Sequence, residues 1–112
     1  MRFAERVLHG VGEDGSRDEI VIWIERRPGA VWAVGRAINP RNRNARTRKE
    51  DFVFEGWELD DALEAANGAL ADDLLISAEE GVNEDVRPFE KDELLKPLER
   101  WFFGHRPPEK HR

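Results

Sequence analysis

Five cations and two side-chain amides crowd into nine residues, Arg41-Asn42-Arg43-Asn44-Ala45-Arg46-Thr47-Arg48-Lys49. Arginine presents a planar fork of donors that can hold two phosphate oxygens at once, so this composition suits contacts to a phosphate backbone. The same cations suit carboxylates, including those of this chain. Acids supply the complementary chemistry: residues 50 to 93 hold sixteen Asp and Glu against only Arg87 and Lys91, whereas 26 to 49 holds eight cations and no acid. The net charge of -6 is thus an average over a stretch of +8 and a stretch of -14, with the two ends cancelling. A negative total favours solubility and argues against the whole surface embracing a polyanion.

Catalytic chemistry finds little material. The chain has no cysteine or tyrosine, and its two serines are Ser16, in a turn-rich stretch, and Ser77, which with Ala78-Glu79-Glu80 matches a helix capping box. His9, His105 and His111 are isolated from one another. Adjacent acids recur at Asp60-Asp61, Asp72-Asp73, Glu79-Glu80, Glu84-Asp85 and Asp92-Glu93. Neighbours on a helix point about 100° apart, so such pairs read as a solvated face rather than a site. No phosphate-loop, dinucleotide, zinc-helix or calcium-loop pattern is present. The expectation is a protein that is not an enzyme and carries no cofactor and no metal; a small enzyme is the weakest of three readings.

The elements that must position these groups follow from apolar periodicity. Ile20-Val21-Ile22-Trp23-Ile24 and Val31-Trp32-Ala33-Val34-Gly35-Arg36-Ala37-Ile38 flank Arg26-Arg27-Pro28-Gly29 and read as a hairpin. A two-residue and a four-residue loop give the same pairing, with Glu25 opposite Trp32 and Trp23 opposite Val34. In that register Ile20, Ile22 and Ile24 face Ala33, Gly35 and Ala37 across a shallow trough for a helix, while Trp23, Trp32 and Arg36 share the other face. There they would form a stacking platform for unpaired bases beside the basic loop, or else lie beneath Trp101, Phe102 and Phe103.

Phe3 to His9 reads as a third strand and Asp51 to Glu55 as a fourth, with 41 to 50 as a loop between strands. After Gly56-Trp57 the period lengthens, and Leu59, Leu63, Ala66, Leu70 and Leu74 predict a helix from Leu59 to Ile76. Gly68 near its middle marks close packing or a break. A last helical element spans Glu90 to Phe103, kinked or restarted at Pro97, with a C-cap at Gly104. The expected fold is α+β: an antiparallel meander of three to four strands with two C-terminal helices packed on it. Residues 1–104 form the single domain and 105–112 a mobile tail.

Val34-Gly35-Arg36-Ala37-Ile38, preceded by the hairpin and followed by Phe52-x-Phe54-x-x-Trp57-x-x-x-Asp61-Ala62-Leu63, resembles the layout of WGR domains over roughly residues 18 to 75. In that family a Trp-Gly-Arg strand precedes a Phe-containing strand and a helix. Val34 stands where the signature tryptophan would be, so Gly35 and Arg36 alone carry over. Some members bind nucleic acid or neighbouring domains, and the resemblance implies a binding role.

The lack of cysteine, the charged start of the sequence and the absence of an apolar run near the roughly 20 residues of a membrane span point to a cytoplasmic protein with no membrane partner. The leading expectation is a non-catalytic binding module or accessory protein that meets another protein through charged surfaces, using the acids between Asp60 and Glu93. The alternative is nucleic-acid binding by Arg41, Arg43, Arg46, Arg48 and Lys49 together with Trp23, Trp32 and Arg36.

Overall fold

In a computed structural model, residues 1–11, 17–40, 49–76 and 83–97 are described. Strand β1 (Arg2–Val11) pairs antiparallel with β2 (Arg17–Arg27), β2 with β3 (Val31–Pro40) and β3 with β4 (Lys49–Gly56), a four-stranded meander in sequence order. Helix α1 (Leu59–Ile76) follows, and a second helix, α2, occupies 91–97. Both pack on one face of the sheet. The basic loop 41–48, the Ser77 capping box, Trp101 to Phe103 and the tail 105–112 lie outside the described residues.

The hairpin forms where Pro28-Gly29 demands it, but in a different register from the expected one. Arg27 pairs with Val31, Trp23 with Gly35 and Arg26 with Trp32. The loop therefore holds three residues, Pro28, Gly29 and Ala30, because Ala30 joins Gly29 in the left-handed region, with φ of 60° and 81°. Such a backbone costs a non-glycine residue about 1–2 kcal/mol. A loop of odd length shifts one strand against the other by a single residue, which moves every β3 side chain to the opposite face relative to β2.

That parity decides the core. Ile20, Ile22 and Ile24 pair with Ile38, Arg36 and Val34 rather than with small residues. Together with Leu8, Trp32, Ala62, Ala66, Leu70, Phe89 and Leu94 they make one buried cluster between sheet and helices. Each buried isoleucine contributes about 1.5–3 kcal/mol. The trough of small side chains exists, but on the other face: Ala33, Gly35 and Ala37 lie there, and the Trp23 indole fills it.

Helix α1 presents Ala62, Ala66, Leu70 and Asp73 to the sheet. Asp60 and Asp61 in its first turn complement the positive end of the helix dipole. Gly68 neither breaks the helix nor packs closely; it is exposed, and a Cβ there would meet nothing within 4 Å. Gly68→Ala is therefore expected to raise stability by about 0.5–1 kcal/mol, read as a higher denaturant midpoint at unchanged slope.

Residues 83–97 are fastened by side chains standing in for peptide groups. The Asn83 amide accepts from the His9 N–H and donates to the His9 carbonyl, both at 3.0 Å. Asn67 does the same for Phe89, at 2.7 and 3.0 Å. Arg6 donates to the Arg87 and Pro88 carbonyls at 2.7 and 3.0 Å, pairs with Glu93 and lies over the Phe89 ring. Glu93 also accepts from the Glu90 N–H at 3.0 Å, the glutamate half of a capping box that starts α2. The Arg6 hydrogen bond holds the Glu93 carboxyl below its ordinary value against the opposing effect of burial.

Candidate binding surface

The structure separates the three residues expected to form one platform. Trp32 lies on the helix face, 2% exposed, with Phe3 edge-on at 5.5 Å and Arg26 4.6 Å above its ring. Burial lowers the pKa of the Arg26 guanidinium, whose Nε has no hydrogen-bond partner among the described residues. Trp23 lies on the opposite face and is 1% exposed. The odd-length turn is the cause. A stacking platform of Trp23, Trp32 and Arg36 does not form, because two indoles on opposite sides of a sheet, both covered, cannot take up a base.

Trp23 has a cage of its own. Arg2 sits 3.8 Å over its ring, Phe52 meets it edge-on at 5.8 Å, and its Nε1 donates to Glu25 at 2.6 Å. Arg27 links Glu25, at 3.1 Å, to Glu55, at 2.7 Å, and rests over Phe52. Burial opposes ionisation of Glu25, but the hydrogen bonds from Trp23 and Arg27 outweigh it and hold the carboxyl below its ordinary value.

Arg36 is committed inward. Its Nε and Nη2 each donate at 2.7 Å to the two oxygens of Asp73, a carboxylate otherwise buried under α1. These hydrogen bonds raise the Arg36 pKa despite partial burial, and the charge of Asp51 adds to the effect. Of the basic cluster, Arg41, Arg43, Arg46 and Arg48 lie outside the described residues. Lys49 opens β4 opposite Ile38.

The acids behave differently. Asp61, Glu64 and Asp72 are exposed on the side of α1 away from the sheet, and Glu84, Asp85 and Asp92 are exposed on the segment that follows. Among the described residues none of these six has a cationic partner, whereas Asp60 pairs with Lys91 at 3.0 Å. Exposed apolar side chains gather elsewhere: Phe52 and Val53 on β4 are 43% and 49% exposed, and Trp57, just after it, 76%. The sequence places Phe52 and Val53 in a strand, and Phe52 and Trp57 in the WGR-like layout, without marking them as an exposed patch. The signal was available in the spacing of Phe52, Val53 and Trp57 among Asp51, Glu55 and Glu58, an apolar series laced with acids.

Among the described residues no group of three or more His, Asp or Glu is placed to hold a metal ion, and no helix is long and apolar enough to cross a membrane. No protein-family model matches the chain, and neither does any curated protein or solved structure.

Proposed function

We propose that this protein is a non-catalytic binding module that docks a basic protein partner on the acidic outer surface of its helical layer. The observation that carries the reading is the set of exposed carboxylates Asp61, Glu64 and Asp72 on α1, continued by Glu84, Asp85 and Asp92, which have no cationic partner among the described residues. The inward cations Arg6 and Arg36 are already matched to Glu93 and Asp73, so pairing among the described residues leaves this outer charge unspent. Charge of one sign on a surface steers an oppositely charged protein to it and rejects like-charged competitors. The WGR resemblance fits the same reading, since some members of that family bind neighbouring domains. The nucleic-acid alternative keeps only the loop 41–49, having lost its tryptophan platform to burial.

The test is affinity capture from a native lysate by the protein and by the variant Asp61→Lys/Glu64→Lys/Asp72→Lys. A basic protein retained in stoichiometric amount, with capture reduced at least about tenfold by the variant and by moderate salt, is the expected result. Equal capture by both proteins, or a band-shift with DNA or RNA that survives moderate salt, overturns the reading.

A further inference from the structure

The two rims of the sheet are treated differently. A strand at the edge of a sheet offers a row of unpaired N–H and C=O groups, and proteins ordinarily cover or blunt such rims. On β1 the Asn83 amide occupies both backbone groups of His9, and Arg6 draws 87–88 alongside. On β4 no described segment pairs along the outer side. Instead β4 shows Phe52 and Val53 to solvent, with Trp57 at its end. A register shift places Val53 as an extra residue against β3, between the Val34–Phe54 and Gly35–Phe52 pairs. Such a bulge twists the rim and limits indiscriminate pairing, so a strand added there must match its break.

Charge says what kind of strand fits. Asp51, Glu55 and Glu58 are exposed along this rim. Two cations of the neighbouring strands are already shared: Arg27 between Glu25 and Glu55, and Arg36 between Asp73 and Asp51. On β4 itself three acids, Glu50, Asp51 and Glu55, stand against the single cation Lys49, so the strand carries an excess negative charge. A second copy of β4 laid antiparallel with Glu50 opposite Glu55 would set acids against acids, which is unfavourable across a strand pair. A strand alternating cationic and apolar side chains would satisfy carboxylates and aromatic rings together.

We infer that the β4 rim, with Trp57 at its end, receives an extended basic segment of a partner protein by strand addition. This rests on the proposed binding role and adds a second, distinct contact to it. Backbone hydrogen bonds would supply affinity and alternate side chains the selectivity.

The probe is a capped peptide of alternating Lys and Val, titrated into the isotopically labelled protein. Chemical-shift changes are expected at the amides of β4 and at the Trp57 indole. The same peptide N-methylated at alternate residues keeps its charge but loses donors, and is expected to bind about tenfold more weakly. An alternating Glu and Val peptide should not bind. Equal binding of the N-methylated peptide, shifts confined to α1, or sedimentation showing a dimer broken by Val53→Lys each overturns the rim as the receiving site. Shifts confined to α1 would do so while leaving the helical docking surface standing.

Discussion

Gly35→Ala is expected to destabilise the protein by about 3 kcal/mol, at the upper end for a single added methyl group. A Cβ at Gly35 would overlap three atoms of the Trp23 six-membered ring. That ring is not the loose end of a flexible side chain. Arg2 covers it, Phe52 abuts it, and Glu25 holds its Nε1. Relief requires moving a buried indole and breaking a charge-assisted hydrogen bond, or prising β3 from β2. The prediction separates this cause from a general intolerance of alanine in β3. In a Trp23→Val background, which already loses the indole, Gly35→Ala should cost less than about 1 kcal/mol, a strongly non-additive cycle. Chemical denaturation of the four proteins measures it, and additive costs would show that ring overlap is not the reason glycine stands there.

Asp73→Ala is expected to cost about 2–3 kcal/mol. Removing one member of a buried pair leaves the other charge without its counterpart, a loss of about 3–5 kcal/mol where water is excluded. The Arg36 side chain is 26% exposed and Asp51 lies within its field, so part of the loss is recovered here. The companion variant Arg36→Met/Asp73→Leu should regain most of the stability, since an apolar pair of similar volume suits the space between Ile22 and α1. Thermal and denaturant unfolding decide both. A single variant within about 0.5 kcal/mol of the parent would mean that the bidentate bond adds nothing net.

Most of the scaffold was legible in the residues, for identifiable reasons. Leu59, Leu63, Ala66, Leu70 and Leu74 keep one helical face over about four turns, and α1 runs from Leu59 to Ile76 as that period requires. The β-branched run 20–24 and the Pro28-Gly29 turn place a hairpin where one is found. What the residues did not disclose was parity. Pro-Gly announces a turn but not whether Ala30 will join Gly29 at positive φ, and that single backbone state decides which face each β3 side chain takes. The pairing of Arg36 with Asp73 was hidden for the same reason, since the expected register puts Arg36 on the face opposite Ile20, Ile22 and Ile24. Asn67 and Asn83 left no local trace at all, because their backbone partners are 22 and 74 residues distant.

The closure of the β1 rim also orders events in time. His9 and Arg6 are held by groups 74 to 87 positions further along the chain. Contacts this distant form late and slowly relative to the neighbouring-strand pairings of a meander. On the ribosome, where synthesis delivers residues one after another, β1 to β3 can assemble while Asn83 and Glu93 have yet to be made. For that interval the nascent sheet is open on the side that the finished protein keeps shut, and the closing stitches are among the last of the described residues to be translated.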